Sequence, residues 1–394
     1  MGKKSILIFG VGPLQKSLIN QCKLRGLFTV GIDPMENAPC RNDVDAFEVI
    51  DGKDYDKTID LAKRYKIDGI ITAATDKPLA MMARVAERLK LPFFSLQTAE
   101  WATDKLLMKQ KFMEAEIECA KGLLLQNGSE LKNIEYPVIV KPRDNSGSRG
   151  VISCKNEREV EDAVQEALQF TIKGNVLIEE FLEGQEYSIE SIHYNNESHV
   201  IQITEKITTV SPYNVELGHM QPANLSTEQK NKVQILVNEI AKALGFNNCA
   251  SHTEIKINQK GIFVIEASPR LGGDYITSHL VPLSTGINIE DLLINISLGL
   301  PLVYERKSNA SLVSYLNFPI GNKVINVISE QELQNNFPNV KLYESTLKIG
   351  DVIKKITNSL NRYGQFILVG DNVESLITQK NQIQVFLQEQ MFTN

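Results

Sequence analysis

The sequence predicts a multidomain protein that combines an α/β segment with α+β segments. Three observations lead to this prediction. The chain has 394 residues, which is more than one hydrophobic core usually organises. Strand and helix patterns alternate over the first hundred residues, as in a parallel sheet with crossover helices. Further on, strands follow one another directly, so we predict domains at 1–100, 101–300 and 301–394.

Composition and charge narrow the classes of function. The chain is 42% hydrophobic and 23% charged, and no apolar run approaches the roughly 18 residues that span a membrane. The net charge of -6 comes from interspersed acids and bases, so no basic patch for nucleic acid is expected. Five scattered cysteines without C-x-x-C spacing do not support disulfides or a zinc site. We expect a cytoplasmic protein with small-molecule partners, no nucleic acid and no membrane.

The first hundred residues carry the strand patterns SILIFGVG, FTVGID and DGIITAAT. Between and after them lie helix patterns from about Leu14, in KTIDLAKRYK and in PLAMMARVAERLK. Gly10 and Gly12 follow the first strand and Asp33 ends the second, which partly matches a dinucleotide-binding fingerprint. Gln15 stands where that fingerprint needs a third glycine. The pattern therefore favours a tight strand-to-helix turn, with NAD binding as the alternative.

The middle of the chain contains the helix ATDKLLMKQKFMEAE, two strands in YPVIVKPRDNSGSRGVISC, the helix EREVEDAVQEALQF and two strands in NVLIEEFLEGQEYSIESIHY. The strand SHVIQITEKITTV follows, and residues 211–225 are expected to form a loop. A capping box of Ser226 and Gln229 begins the next predicted helix, and Gly245 ends it. The chain closes with the strand GQFILVGD and a helix from Val373.

Two glutamates face each other in a hairpin predicted over residues 252–268. A three-residue loop at 259–261 places Glu254 directly opposite Glu266. On this register, one face carries Thr253, Ile255, Ile257, Phe263, Ile265 and Ala267. The other face carries Glu254, Lys256, Val264, Glu266 and Ser268. Facing carboxylates repel, so we expect a compensating cation, which is either Lys256 on a solvated face or a divalent metal such as Mg²⁺.

Three further segments have features of a nucleotide site. Lys141 ends an apolar strand, and the glycine–serine loop at 145–150 can direct backbone N–H groups towards phosphate. Lys105 lies at a helix start, where a cation is unfavourable unless an anion is close. Glu179 and Glu180 end another apolar strand and begin a connector suited to an adenine. The alternatives are a flexible hairpin loop and solvated lysines.

The order of these segments resembles the ATP-grasp superfamily over the whole chain. The matching segments are DK, YPVIVKP with its glycine loop, IEEFLEGQEYSIE, TEK, HTEIK and VIEASPR. The resemblance implies an ATP-grasp fold with an N-terminal Rossmann-like (pre-ATP-grasp) domain, two lobes hinged near 179–183 and a C-terminal α+β domain. It also implies ATP with Mg²⁺ or Mn²⁺ as cofactors, a carboxylate and an amine as substrates, and a homodimer.

The resemblance implies roles for individual residues. The phosphate side comprises Lys105, Lys141, Ser146, Gly147 and Ser148. The adenine and ribose side comprises Glu179, Glu180, Phe181, Leu182 and Glu186. The metal ligands are Glu254 and Glu266, joined by Ser268 where the family motif more often has Asn. The catalytic residues are Arg270, Lys206 and Lys141. Substrate contacts are expected from Arg270, Gly272, Gly273 and His219, and from the first domain around Gly12 and Asp76.

In this family a carboxylate attacks the γ-phosphate of ATP, and an amine then displaces phosphate from the resulting acyl-phosphate. Because water would hydrolyse that intermediate, we predict that the loops 143–150 and 208–224 are lids. The segments RLGGDYITSHLVPLSTGI and VELGHMQPANL further resemble the amino-acid and dipeptide ligases. Gly272 and Gly273 would let the backbone approach the acyl group.

Four functional hypotheses follow. The first is an ATP-dependent ligase that joins a small carboxylate, such as an amino acid, to an amine. The second keeps the fold but uses bicarbonate or formate, as in carboxylases, carbamoyl-phosphate synthases and purine-pathway enzymes. The third is an NAD-linked oxidoreductase that uses Gly10, Gly12 and Asp33, and the fourth is a nucleotide-binding protein without turnover. A structural, hydrogen-bonded role is the alternative for His219 and His252.

Overall fold

The computed structural model describes residues 3–125, 135–145, 147, 149–209 and 215–392. The predicted flap residues Ser146 and Ser148 lie outside the described residues, as does the 210–214 part of the second predicted lid. The described strands form three sheets, with four, four and eight strands. No helix among the described residues is both long and apolar enough to cross a membrane.

The first sheet is parallel and is flanked by helices. Its elements are β1 (Ser5–Phe9), α1 (Lys16–Leu24), β2 (Phe28–Asp33), β3 (Ala46–Val49), α2 (Tyr55–Arg64), β4 (Gly69–Ile71) and α3 (Leu79–Leu89). The strand order is β3-β2-β1-β4, and every pair is parallel. This confirms the predicted α/β alternation.

The turn after β1 is held by hydrogen bonds from the side chains of Gln15 and Asp33. The Gln15 amide accepts a hydrogen bond from the Gly12 N–H (3.1 Å) and donates one to the Ala73 carbonyl (2.7 Å). Asp33 accepts from the Val11 N–H at 3.0 Å. Since the Asp33 carboxylate is engaged by the turn itself, the geometry favours the tight-turn interpretation over a ribose contact.

The second sheet is antiparallel and is covered by one helix. Its segment comprises α4 (Leu96–Ala102), α5 (Lys105–Glu114), β5 (Gly122–Leu125), β6 (Val138–Pro142), β7 (Ile152–Cys154), α6 (Glu157–Leu168) and β8 (Val176–Glu180). The strand order is β5-β8-β6-β7. Apolar residues of α6, including Val160 and Ala163, pack on Val140 and Ile178 in a small separate core. The helix predicted over ATDKLLMKQKFMEAE begins only at Lys105, because the Asp104 side chain caps the N–H groups of the first turn.

The third sheet has eight strands and extends into the C-terminal part of the chain. Its segment comprises β9 (Gln185–Tyr194), β10 (Glu197–Thr208), β11 (Glu216–Gln221), α7 (Thr227–Leu244), β12 (Cys249–Asn258), β13 (Gly261–Ser268), α8 (Val281–Thr285), α9 (Ile289–Ser297), β14 (Ala310–Tyr315), α10 (Glu330–Asn336), β15 (Val340–Ser345), β16 (Gly364–Gly370) and α11 (Val373–Phe392). The order is β13-β12-β9-β10-β11-β14-β16-β15. Strands β11 and β14 pair with each other across the boundary predicted at residue 300. The predicted domain limits stay predictions.

Strand β11 corrects the loop predicted over residues 211–225. It pairs with β10 on one side and β14 on the other, so residues 216–221 lie inside the sheet. That part of the predicted lid at 208–224 is therefore wrong, because a strand bonded on both edges cannot open alone. The sequence ELGHMQ has few apolar residues. Its strand character comes from tertiary pairing, including a close approach in which a Cβ on Gly218 would lie 2.7 Å from the Val313 carbonyl.

The acidic hairpin keeps its predicted central pair but not its predicted loop. Asn258 pairs with Gly261, so the loop has two residues, and a bulge between Glu254 and Ile255 restores the pairing of Glu254 with Glu266. The bulge also exchanges the faces beyond it. Val264 is buried with Ile255 in the main core, whereas the predicted face placed Val264 with the acids. Phe263 and Ile265, predicted to be apolar-face residues, are only partly buried.

Helix α7 matches its prediction in detail. Ser226 and Gln229 form the capping box, and Gly245 ends the helix with a φ of 74°. The apolar stripe of Val233, Val237 and Ile240 packs into the largest core, together with residues of α3 and β12. The helix supports the sheet from one side, and on the opposite face Ile192, Ile201 and Ala250 pack into a second core.

Candidate active site

Helix α5 presents two lysines one turn apart to neighbouring strands. The Lys105 ammonium contacts Glu266 at 2.8 Å, and the Lys109 ammonium contacts Glu179 at 3.0 Å. Lys141, on β6, contacts the other Glu179 oxygen at 2.7 Å. Glu179 is almost completely enclosed between the two lysines. This carboxylate is a counterion of Lys109 and Lys141, and its predicted cofactor contact stays a prediction.

The facing acids each have a lysine partner. Glu254 is 2.8 Å from the Lys206 ammonium, and Glu266 is 2.8 Å from that of Lys105. Their side chains keep 25% and 23% of their accessible surface, so both remain open to a ligand. Burial alone would raise the pKa of Glu254, but Lys206 and then His252 outweigh it and hold that pKa well below its usual range. Burial lowers the pKa of Lys105, but Glu266 outweighs it and raises the pKa above the ordinary value.

Lys206 is enclosed by three carboxylates. Its ammonium lies 2.6 Å from Glu186, 2.8 Å from Glu254 and 3.5 Å from Glu216. The side chain is 3% exposed, and although burial lowers its pKa, these acids raise the pKa well above the ordinary value. Lys206 is therefore a permanent cation that holds the predicted ribose acid and the predicted metal ligand on one face. Glu216 was missed, because its strand was predicted to be a loop.

The acid pair fits a magnesium ion that also binds phosphate. Mg²⁺ usually takes one or two protein carboxylates and completes its shell with water and phosphate oxygens. Glu254 and Glu266 supply two such groups across one ladder. Within the described residues, no set of three or more His, Cys, Asp or Glu side chains is arranged to hold a metal. Two protein carboxylates suit an ion that completes its shell with water and phosphate oxygens.

The connector after β8 is fixed by neighbouring chain segments. The Glu180 carboxylate accepts from the Lys121 N–H at 2.8 Å, and the Phe181 N–H donates to the Pro137 carbonyl at 3.1 Å. The Leu182 carbonyl accepts from the Lys256 ammonium at 2.9 Å. Lys256 thus ties the connector to the acidic hairpin. This contact corrects its predicted alternative role as the direct partner of the acid pair, because Lys206 and Lys105 occupy that position.

Arg270 and Asp76 form a pair between the first sheet's loops and the end of β13. The Arg270 guanidinium contacts Asp76 at 2.9 and 3.2 Å, and the Ser268 hydroxyl donates to the same carboxylate. Burial raises the pKa of Asp76, but Arg270 outweighs it and lowers that pKa. The structure therefore brings three predicted residues together. Because the Ser268 hydroxyl is directed to Asp76, its predicted metal contact receives no support from this geometry.

Gly272 faces an internal ion pair. The Glu190 carboxylate accepts from the Gly272 N–H at 3.2 Å and contacts His252 Nδ1 at 2.5 Å. A Cβ on Gly272 would lie 2.7 Å from both Glu190 and His252. The glycine thus makes room for a Glu–His pair, and its predicted approach to the acyl group stays a prediction. Gly273 has only an ordinary contact with Ala74, 3.6 Å from an added Cβ.

His219 lies beside a second, smaller polar group. Nε2 of this buried ring is 3.6 Å from Asp274, and neither ring nitrogen has a hydrogen-bond partner among the residues described. Asp274 binds Arg362 through contacts of 2.8 and 3.0 Å, and the Arg362 guanidinium stacks 3.6 Å from the Tyr315 ring centroid. Burial raises the pKa of Asp274, but His219 and Arg362 outweigh it and lower that pKa. Arg362 was missed because it lies in the C-terminal segment.

The predicted flap is attached to the start of α5. Arg143 makes a bidentate pair with Asp104 at 2.7 to 3.0 Å, and Lys173 contacts the same acid. The Lys105 ammonium donates to the Asn145 carbonyl at 2.9 Å. Lys105 therefore spans the distance between the flap and Glu266. Lys109, the i,i+4 neighbour of Lys105 on α5, was not singled out from the sequence, although its spacing places both lysines on one face of the helix.

Comparisons with known proteins concern the family and the fold of the chain. A family model described as an ATP-grasp domain matches residues 134–278. The chain is 27% identical over 268 residues to alanine–anticapsin ligase of Bacillus amyloliquefaciens, which covers 61% of this chain and 56% of that protein. It is 25% identical over 402 residues to a formate-dependent phosphoribosylglycinamide formyltransferase of Saccharolobus solfataricus, covering 95% and 94% of the two chains.

The chain thus spans only about half the length of the first curated relatives that it matches. Among solved structures, it is similar to an L-amino acid ligase from Bacillus licheniformis, with a TM-score of 0.82, 20% identity and 100% coverage of both chains. This likeness concerns the fold and agrees with the three sheets described above. The chain has the ATP-grasp fold, and its residues 134–278 match the ATP-grasp domain.

Proposed function

We propose that the chain is an ATP-dependent, ADP-forming ligase that activates a small carboxylate as an acyl-phosphate and joins it to an amine. The observation that carries the proposal is the pairing of Glu254 with Glu266, each held by a lysine and each still open to a ligand. ATP and Mg²⁺ or Mn²⁺ are the proposed cofactors. When bound, the metal supplies positive charge for the nucleotide phosphates.

The chain's own residues have defined tasks in this proposal. Lys141 and Lys105 contact the phosphates, and Glu186 and the connector at 180–183 hold the ribose and adenine. A substrate carboxylate oxygen attacks the γ-phosphorus, the bond to the β-phosphate oxygen breaks, and ADP leaves. The amine nitrogen then forms a bond to the acyl carbon as phosphate departs. Arg270, anchored by Asp76, is placed to donate hydrogen bonds to oxygens of the acyl-phosphate.

The charge balance on the acyl side favours an amino acid. Arg270 is neutralised by Asp76, and Arg362 is neutralised by Asp274. Glu216, whose backbone carbonyl accepts from Arg362 at 3.4 Å, lies close to this pair and is balanced by Lys206. A substrate ammonium group suits such surroundings, whereas a phosphate ester needs surplus positive charge. We therefore propose that the carboxylate substrate is an amino acid, in keeping with the relative named alanine–anticapsin ligase.

A second candidate function rests on a separate observation. The match to the formate-dependent formyltransferase covers 95% of this chain, more than the match to the alanine–anticapsin ligase. An enzyme that activates formate or bicarbonate and transfers it to a phosphoribosyl amine is therefore the alternative. The homodimer and the cytoplasmic location stay predictions.

The two candidates are separated by measuring ADP release. The purified chain is incubated with ATP and Mg²⁺ and with amino acids singly and in pairs, and then with formate or bicarbonate plus a phosphoribosyl amine. Release that requires one or two amino acids supports the proposal. Release that requires formate or bicarbonate supports the second candidate. If no ADP is released under any of these conditions, both candidates are contradicted and a nucleotide-binding protein without turnover is favoured.

A further inference from the structure

A buried Glu–His pair connects two parts of the candidate site. His252 Nδ1 contacts Glu190 at 2.5 Å, and Nε2 faces Glu254 at 3.4 Å. The second Glu190 oxygen accepts from the Gly272 N–H at 3.2 Å. A continuous polar chain therefore runs from the proposed metal ligand Glu254 through His252 and Glu190 to the backbone of the loop after β13.

Several features show that this chain is constrained. Glu190 has no exposed surface, and the His252 side chain is 11% exposed. Carboxylates only accept hydrogen bonds, so a ring that serves both acids must carry a proton on each nitrogen. The loop packs closely against the pair, because a methyl group on Gly272 would lie 2.7 Å from Glu190 and from His252. The position of the loop and that of the imidazole are thus tied together.

We propose that Glu190 and His252 are positioning residues that set the Glu254 carboxylate and the Gly272 loop in one mutual arrangement. This inference rests on the proposed function, because the proposed function assigns Glu254 as a ligand of the metal. Outer contacts of this kind orient a metal-ligating carboxylate and tune its affinity. The loop that carries Arg270 at its start is held by the same pair, so the metal side and the acyl side are aligned by shared contacts.

His193 provides a matched control. It lies on β9, is buried, and its ring nitrogens contact two hydroxyls, those of Ser198 at 2.8 Å and Ser251 at 2.7 Å. It touches neither Glu190 nor Glu254 among the contacts described. Substituting it disturbs a buried histidine in the same sheet without touching the polar chain, which separates a positioning effect from general loss of packing.

The test measures ADP binding by titration calorimetry as a function of Mg²⁺ concentration, in the full-length chain. His252→Leu is expected to raise the Mg²⁺ concentration for half-maximal enhancement of ADP binding by roughly 10-fold to 100-fold. His252→Gln, which retains one N–H donor, should recover most of this loss. His193→Gln should match the wild type. Thermal unfolding of each variant checks that the fold is retained.

Two results would overturn the inference in different ways. If folded His252→Leu and His193→Gln have the same Mg²⁺ dependence as the wild type, His252 has no positioning role and the proposed function stands. If ADP binding to the wild type itself does not depend on Mg²⁺, the proposed metal site fails and the inference fails with it.

The connection to the loop is tested by a double-mutant cycle. Gly272→Ala pushes a methyl group into the pair, so it and His252→Leu should each weaken Mg²⁺-dependent ADP binding. Because both substitutions disturb the same contacts, the double variant should lose much less than the product of the single losses. Independent, multiplicative losses would show that the loop is not coupled to Glu254 through His252.

Discussion

Two buried histidines on neighbouring strands of the large sheet have opposite electrostatic surroundings. His193 lies between two serine hydroxyls, and burial lowers its pKa to about 3. Burial would also lower the pKa of His252, but Glu190 outweighs it and raises that pKa to about 9. His193 pairs with Cys249, three residues before His252 on β12, so the two environments are separated by about 10 Å along the strand.

The difference shows how one pair of strands serves both stability and ligand binding. The end of the β9–β12 ladder at His193 contains hydroxyls and the Phe246 ring, and it contributes packing. The other end gathers Glu190, Glu254 and, through β13, Glu266. Gathered carboxylates repel one another and lose hydration, so this end requires cations to remain folded. We call these the packing end and the charged end of the ladder.

The largest expected effect is on turnover at the charged end. Glu266→Gln removes a negative charge beside the proposed metal while keeping the side chain's shape, so ADP release should fall roughly 1,000-fold. Circular dichroism should show an intact fold. Glu197→Gln, at a 77% exposed side chain, is the control and should leave the rate unchanged. An unchanged rate in Glu266→Gln would remove this acid from the metal site.

The next effect concerns stability at the same end. Lys206→Met leaves Glu186, Glu216 and Glu254 without their shared cation, and breaking such buried pairing costs about 4 kcal/mol in the free energy of unfolding. Urea unfolding at neutral pH measures the change. Lys232→Met, which removes the partner of the exposed Glu228, should leave the free energy of unfolding nearly unchanged. Equal effects of the two substitutions would show that the buried cation at the charged end contributes no more to stability than a surface cation.

Glu290 is a buried acid that has no ion-pair partner among the described residues, in contrast to the acids at the charged end. Burial raises the pKa of Glu290 to about 7, and its only described hydrogen bond comes from the Ser17 hydroxyl at 2.8 Å. The folded pKa lies above the unfolded one, so protonation favours the fold at low pH, and stability is lost as the pH rises through 7. Glu290→Gln should therefore stabilise the protein at pH 8 by about 3 kcal/mol and change little near pH 4. Thermal unfolding at both pH values tests this, and a pH-independent effect would contradict it.

The smallest effect is expected at the packing end. There, stability is lost as the pH falls, whereas at Glu290 it is lost as the pH rises. The folded pKa of His193 lies below the unfolded one, so the unfolded chain takes up a proton first, and stability falls as the pH drops below about 6.5. This contribution amounts to about 2 kcal/mol between pH 7 and pH 5. His193→Gln should show a shallower loss of stability over that interval, with ADP release unchanged. An equally steep loss would show that His193 is not the responsible group.

Sequence reasoning succeeded where the controlling contacts are local. The ends of α7 follow from Ser226, Gln229 and Gly245, all of which act within one turn of the helix. The pairing of Glu254 with Glu266 was also predictable, because a short hairpin allows few registers. The length of the loop was not predictable. A three-residue loop without a bulge and a two-residue loop with one bulge both place Glu254 opposite Glu266.

Sequence reasoning failed where a residue's role depends on distant partners. Strand β11 was expected to be a loop because ELGHMQ has little strand character without β10 and β14 on either side. The position of Glu179 at a strand end was visible in the sequence, whereas its enclosure by Lys109 and Lys141 was not. Arg362 gave no local signal at all.

By itself, the sequence determined the alternation of strands and helices, the capped helix, the facing acids and the order of segments that is typical of an ATP-grasp chain. Only the tertiary structure decided which cation holds each acid, which strand lies between β10 and β14, and which glutamate shares His252. The reason is physical. Helix caps and hairpin pairs are set by neighbours along the chain, whereas the Asp76–Arg270 and Glu190–His252 contacts join residues 194 and 62 positions apart and form only when the sheets pack together.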